Sequence, residues 1–266
     1  SNIFSYIYGV LSSFKEQDSK YLIISISPFT FIVSVLIKLL KKKPIVYLRS
    51  DGYGEYKVIL GVFGQIMYHF MFSIISRISL LISCREYILR NKPGEIVAPS
   101  QISRQWLINR KEFEINKIKL LYVGRVRKEK GIYSLLSLIK EIKLDLTLSI
   151  VGSEKNSLDQ IIQDNVHVYK VENNEKNLIK FYDDHNIFVL PSYTEGHPMV
   201  LLEALSRLRP VIIFKDIEHV VGNKKGIFIA ERSSSSFLEK INYITKNYKN
   251  IQEEMKKNNL PTKEAF

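Results

Sequence analysis

Short apolar runs alternate with longer stretches of helical pattern along the whole chain, and this alternation leaves few folds open. The second half reads most clearly. Lys119–Val123, Leu146–Val151, Val166–Tyr169, Ile187–Leu190 and Pro210–Phe214 are apolar at most positions. A strand with one wet face would alternate apolar and polar residues. A continuous run predicts a strand buried on both faces. Helical patterns lie between and after them, over Gly131–Glu141, Leu158–Gln163, Asn177–His185, Met199–Leu208 and Ser234–Tyr248. Strand and helix repeated in this way predict a doubly wound parallel sheet. Ligands of such sheets bind at the carboxyl ends of the strands, so the loops there are the places to look for function.

The first half repeats the pattern less completely. Strands are expected at Tyr21–Ser27, Pro44–Arg49, Leu80–Ser83 and Glu95–Ser100, with helices over Phe29–Lys42 and Tyr56–Arg77 and a loop over Ser50–Gly54. A full Rossmann-like domain has about six strands. The expectation is therefore a first domain that starts partway, without its first strand and Gly-rich turn, and with Ser1-Asn2 as a tag remnant. The domains are expected at residues 1–112 and 113–266. The polar end from about Lys256 is expected to fray.

Charge narrows the partners. The net charge is +12, which suits an anionic partner: nucleic acid, an acidic membrane surface or a phosphorylated substrate. Residues 1–117 hold 16 Lys and Arg against 8 Asp and Glu, so most of the excess lies in the first part. No nucleic-acid motif is present, and aromatic residues are not interleaved with the basic runs, which argues against nucleic acid. Cys84 is the only cysteine, so no internal disulfide and no cysteine metal site can form, and a reducing, cytoplasmic compartment fits. The five histidines are scattered, and no metal is expected. The start lacks the charged segment and apolar run of a signal peptide. Tyr21–Leu40 is interrupted by Pro28 and Lys38, and Val58–Cys84 by Gln65, His69 and Arg77, so both read as elements of a globular protein rather than spans.

Two loops carry candidate chemistry. Gly124–Gly131 follows the strand Lys119–Val123 and precedes a helix. Gly124 permits close backbone approach, the helix start favours anions, and Arg125 and Lys130 add formal charge. A diphosphate is the natural ligand; a solvated basic loop is the alternative. Pro191–Glu203 follows the next buried strand but two. Gly196 permits close approach, Pro198 suits a first helical turn, and Met199 and Val200 have free N–H groups. Glu195 in the loop and Glu203 in the helix offer carboxylates to sugar and ribose hydroxyls. Glu203 is otherwise a solvent-facing helix residue, but its neighbours Leu202 and Ala204 argue for a buried carboxylate that needs a partner.

The pattern Pro-Ser-x-x-Glu-Gly-x-Pro-x-Val-x-x-Glu-Ala, followed by Pro210-Val211-Ile212, resembles the E-x(7)-E motif of the family 4 retaining glycosyltransferases. The upstream Val-Gly-Arg-x-x-x-Glu-Lys-Gly segment is similar to the same family in order and spacing. The resemblance covers residues 118 to about 232 well and 20–110 loosely, through strand order and Ala98–Ser100. It implies a GT-B fold: two Rossmann-like domains facing across a cleft. It also implies transfer of a sugar from a nucleoside-diphosphate sugar to a glycan or lipid-linked acceptor with retention, in cell-surface polysaccharide biosynthesis, with no metal or other cofactor. By resemblance, Arg125 and Lys130 bind the donor diphosphate, Met199 and Val200 N–H groups hold its distal phosphate, and Glu203 binds the ribose. Glu195 contacts the transferred sugar. Gly152 and the strand end at Lys170 and Val171 border the base, and Glu218 ranks lowest. Ser206–Pro210 departs from the family's Ala-x-Gly before the Pro-Val-Ile strand, and Phe214–Ile217 from its Gly-rich stretch. The alternative to an enzyme is a module that binds a nucleotide sugar without turnover.

Three further positions stay open. Asp51 is either an acceptor-side residue or a turn residue beside Gly52. His197, in the motif loop, is a candidate donor-sugar contact, whereas His69 reads as a core or surface histidine. The aromatic helix over Val58–Ser76, with Lys38 and Lys41–Lys43 near it in sequence, fits a peripheral membrane contact at the inner face of the cell membrane, or a buried core helix with a solvated lysine run.

Overall fold

The computed structural model describes residues 19–97, 99–111, 115–153 and 163–265, with Tyr8, Gly9 and Ser12 besides. The chain divides into two compact units, Ser1–Ala98 and Pro99–Phe266.

In the first unit β1 (Leu22–Ile24), β2 (Ile45–Leu48), β3 (Leu80–Ser83) and β4 (Glu95–Ile96) form a parallel sheet in sequence order. Two helices, α1 (Pro28–Leu39) and α2 (Gly52–Ile78), make the crossovers. Ser27 starts α1: its Oγ accepts the Thr30 N–H, Thr30 Oγ1 accepts the Ser27 N–H at 2.7 Å, and Pro28 fills the first position. Val46, Leu48 and Leu81 bury against Val33 and Ile37 of α1 and Phe72 and Ile75 of α2. The helix begins at Gly52, not at Tyr56 after a longer loop. The reason is packing: a Cβ at Gly52 would meet the Tyr68 ring at 2.1 Å, so only glycine lets this first turn lie there. The backbone of Gly61 is left-handed (φ 68°) and kinks α2 into two segments. By length and composition alone α2 is apolar enough to cross a membrane, and most of its most apolar stretch is not buried.

In the second unit six parallel strands stand in the order β10-β9-β8-β5-β6-β7. They are β5 (Ile118–Val123), β6 (Leu146–Val151), β7 (Val166–Tyr169), β8 (Ile187–Leu190), β9 (Val211–Phe214) and β10 (Ile227–Ala230). From β5 the chain winds outward to β7, then returns to β8 and winds the other way. That is the doubly wound order, and its switch point lies between β5 and β8. The helices are α3 (Ile132–Glu141), α4 (Glu175–Asp184), α5 (Met199–Ser206), α6 (Ser234–Lys246) and α7 (Tyr248–Lys256). Leu120, Leu121, Phe188, Val189 and Ile212 on the central strands are buried on both faces, as continuous apolar runs require.

Several expectations need correction. The strand expected over Glu95–Ser100 is Glu95–Ile96. β10 went unread, and the helix expected over Ser234–Tyr248 ends at Lys246 and is followed by a further helix, α7, that also went unread. Of the helix expected over Leu158–Gln163, residues 158–162 lie outside the described residues, and Gln163 is not helical. The polar end does not fray. Ser100 Oγ donates to the Pro261 carbonyl at 2.6 Å and the Lys263 N–H to the Ile102 carbonyl at 2.8 Å, while Leu260 packs on the core.

Candidate functional site

The two loops singled out in the sequence leave β5 and β8, the strands that flank the switch point. They touch through their main chains. Gly131, left-handed at φ 67°, caps α3 so close to the second loop that a Cβ would lie 1.9 Å from the Pro191 carbonyl oxygen. The Tyr193 N–H donates to the Glu129 carbonyl at 3.0 Å. On the other side of β5, Gly152 (φ 115°) ends β6 where a Cβ would meet the Gly124 carbonyl oxygen at 2.7 Å. Backbone contacts therefore set the spacing of these strand ends, and no other residue type fits at Gly131 or Gly152 without a shift.

Side chains complete the floor. Lys130 Nζ donates to Glu195 Oε1 at 2.7 Å, and Ser192 Oγ donates to the same oxygen at 2.6 Å. His219 Nε2 donates to the Glu195 carbonyl at 2.8 Å. Arg125 stays exposed; Tyr122 Oη holds its carbonyl at 2.9 Å. Among the described residues the Arg125 guanidinium has no hydrogen bond or ion pair. α5 starts beyond the loop at Pro198 without a side-chain cap, so among the described residues the N–H groups of Met199 and Val200 remain open. Glu203 lies further along α5, 5% exposed, and its Oε2 accepts from Tyr182 Oη at 2.8 Å. Burial pushes its carboxyl above the ordinary carboxylate range; the Tyr182 hydrogen bond pulls it down and the Glu175 charge pushes it up. The switch point thus gathers cations and open N–H groups in one place, with two carboxylates eight residues apart.

A known family matches this arrangement. Residues 104–260, more than half of the chain, match the family described as glycosyl transferases group 1. The chain belongs to that family. It is 31% identical over 132 residues to the capsular polysaccharide biosynthesis glycosyltransferase CapM of Staphylococcus aureus, 45% of this chain and 34% of the relative. The matched stretch is about a third of that relative's length. Among solved structures, sucrose-phosphate synthase from Thermosynechococcus elongatus superposes with a TM-score of 0.74 at 18% identity, over 99% of this chain and 75% of that one. HepE of Anabaena, solved with UDP and glucose, superposes with a TM-score of 0.68 at 13% identity, over 94% of this chain and 73% of that one. These likenesses establish a GT-B fold for this group 1 glycosyltransferase chain.

The structure brings Gly124, Arg125, Lys130, Glu195, Gly196, Met199, Val200 and Glu203 to the β5 and β8 ends or to the helix that follows β8. Gly152 lies one strand over. Val171 follows the edge strand β7 and is 62% exposed, which puts it at the rim. The His197 ring turns to the Pro99 carbonyl, where Nε2 donates at 2.9 Å. Glu218 is exposed on a short 3-10 turn after β9. Asp51, in the first unit, precedes α2 and pairs with Arg90 at 3.3 Å. Among the described residues no three His, Cys, Asp or Glu side chains gather as metal ligands. Sequence reasoning missed Ser192, Tyr182, His219 and Arg232. Arg232 follows β10, donates to the Pro191 and Ser192 carbonyls at 2.8 and 2.9 Å, and lies 3.8 Å over the Tyr193 ring. Only Ser192 carried a local signal, as part of the Pro-Ser start of the motif.

The departure at Ser206–Pro210 has a structural account. Leu208 adopts the left-handed backbone (φ 57°) suited to glycine, while its side chain is 1% exposed in the core. Arg207 and Arg209 beside it are fully buried and share Asp183. Arg207 binds both carboxylate oxygens, at 2.9 and 2.8 Å, and donates to the carbonyls of Trp106, Ile108 and Asn109. Arg209 reaches Asp183 at 3.5 Å and the Lys111 carbonyl at 3.0 Å. These arginines hold residues 106–111 onto the unit, which small residues could not do.

Proposed function

We propose that this chain is a family 4 retaining glycosyltransferase, built around the E-x(7)-E pair Glu195 and Glu203, that moves a sugar from a nucleoside-diphosphate donor to a glycan or lipid-linked acceptor. The observation that carries the reading is the switch point itself. Lys130, Arg125 and the open N–H groups of Met199 and Val200 suit a diphosphate, and the two glutamates suit the hydroxyls on either side of it. In this reading Gly124 and Gly196 allow close approach, Gly152 and Val171 border the base, and Glu203 binds the ribose. Glu195 faces the transferred sugar, with His197 next to it in the loop. Asp51 is assigned to the acceptor side from its place at the carboxyl end of β2.

The chemistry follows from these groups. The bond between the anomeric carbon and the diphosphate oxygen breaks, and negative charge collects on the departing oxygen. Fixed cations and N–H groups stabilise that charge without reorganising, so we assign no metal or cofactor to the step. The acceptor hydroxyl attacks the same face, and its proton passes to the departing diphosphate. The name of the relative CapM supports a role in surface polysaccharide synthesis. We place that role in the cytoplasm at the inner face of the membrane, and the exposed apolar side chains Val62, Phe63 and Ile66 of α2 support a peripheral membrane contact.

Titration calorimetry with a panel of nucleotide sugars, paired with a donor-hydrolysis assay, tests the reading. Lys130→Ala and Glu203→Ala are each expected to weaken donor binding at least about tenfold while leaving the fold intact. Wild-type binding by both variants would overturn the site. Binding without turnover would favour a nucleotide-sugar-binding module instead.

A further inference from the structure

The two oxygens of Glu203 are held differently. Oε2 accepts the Tyr182 hydroxyl at 2.8 Å, whereas Oε1 accepts nothing among the described residues. Tyr182 lies in the last turn of α4 and is fully buried. Its ring is wedged between Trp106, edge-on at 5.4 Å, and Phe188 at 5.5 Å. Rings packed on two sides cannot swing, so the hydroxyl is delivered to one place. The Val200 carbonyl is the other acceptor in reach, at 3.5 Å, and the shorter contact to the carboxylate takes the proton. A phenylalanine would fill the same space, so packing alone does not call for the hydroxyl.

We propose that Tyr182 is a positioning residue for nucleotide recognition: its hydroxyl fixes Glu203 Oε2, so that Oε1 is presented as the acceptor for the ribose diol of the donor. The proposal rests on the reading of Glu203 as the ribose-binding group. It also explains how a nearly sealed carboxylate serves at neutral pH. Among the described residues the titratable groups that act on the Glu203 carboxyl are Tyr182, by its hydrogen bond, and Glu175, by its charge, both on α4. Burial and Glu175 favour the protonated acid, and the Tyr182 hydrogen bond is the one influence that favours the carboxylate. Glu175 is itself engaged by the Ser103 hydroxyl. Removing the Tyr182 hydroxyl therefore moves the Glu203 carboxyl further up and leaves it free to turn.

The test is calorimetry of wild type, Tyr182→Phe, Glu203→Gln and the double variant, from about pH 5 to about pH 8. The probes are UDP and GDP with their 2′-deoxy counterparts. Tyr182→Phe is expected to bind the ribonucleotide about tenfold more weakly, and to lose binding on acidification at a higher pH than wild type. The 2′-deoxy nucleotide should bind both proteins alike, and Tyr182→Phe should add nothing in the Glu203→Gln background. If Glu203→Gln weakens binding but Tyr182→Phe keeps the wild-type affinity and pH profile, Glu203 acts alone and the proposal is wrong. If Glu203→Gln binds as wild type does, the ribose reading fails, and the proposal fails with it. The ratio of ribose to deoxyribose affinity supplies a second measurement. It should fall in Tyr182→Phe relative to wild type, and a ratio equal to the wild type's overturns the proposal.

Discussion

Without a donor, Lys130 is already neutralised. Its ammonium lies 2.7 Å from Glu195 Oε1, with side chains 23% and 11% exposed. An incoming diphosphate meets a cation that has a partner, and a carboxylate that repels it. Glu195→Gln keeps the shape and removes both obstacles. A hydrogen bond to a charged group contributes about 1.5–3 kcal/mol. The lysine has three protons and can serve both anions, so only part of that is released, about 1 kcal/mol. The nucleoside diphosphate without its sugar should therefore bind the variant about fivefold tighter. Turnover of the complete donor should fall at least about tenfold, because Glu195 is assigned to the transferred sugar. Calorimetry with UDP and GDP reads the first effect and a donor-hydrolysis assay the second. If Lys130→Ala weakens nucleotide binding while Glu195→Gln leaves it unchanged or weaker, the carboxylate is not competing for the lysine and the reasoning is refuted.

Three further outcomes concern the frame. Asp183→Asn leaves two buried guanidinium groups without their carboxylate and should cost about 3–5 kcal/mol, read as a lower urea midpoint; an unchanged midpoint would show that the carbonyls alone hold Arg207 and Arg209. Leu208→Gly relieves a left-handed backbone worth about 1 kcal/mol but empties a buried side-chain site worth about 3–5 kcal/mol, so the melting temperature should fall by several degrees, and a rise would reverse the ranking of the two effects. Burial depresses the His185 pKa below 6.5, against smaller upward pulls from the Phe181 carbonyl and Asp184. The folded state thus prefers the neutral ring, and its contribution to stability is present above the unfolded pKa and lost as the pH falls through the folded one. Urea midpoints should drop on acidification below about 6.5, and less so in His185→Gln; identical slopes in the two proteins would count against it.

The central strands of the second unit were legible because burial on both faces leaves a continuous apolar run, as in Ile187–Leu190. The edge strand β10 left a weaker signal: Ile229 is 39% exposed, so the run is short and half solvated. Lys130 and Glu195 could be named from their loops, since a strand end followed by glycine and a helix start is a local pattern. Tyr182 and Arg232 could not. Tyr182 reaches the site from the helix before β8 and Arg232 from the loop after β10, and nothing within a few residues of either predicts its contact. The burial of Arg207 and Arg209 left no local signal, because their partners, Asp183 and the carbonyls of residues 106–111, are far away in sequence. The early start of α2 depended on Gly52 meeting Tyr68, again a contact between distant residues.

The bonds from Ser100 to Pro261 and from Lys263 to Ile102 bring the entry and exit of the second unit side by side. A chain whose two ends meet is topologically close to a ring. Its beginning can be moved to a surface turn and its old ends joined by a short linker without crossing the sheet. The order in which its strands follow one another along the chain is in that sense open to rearrangement, while their order in space is not.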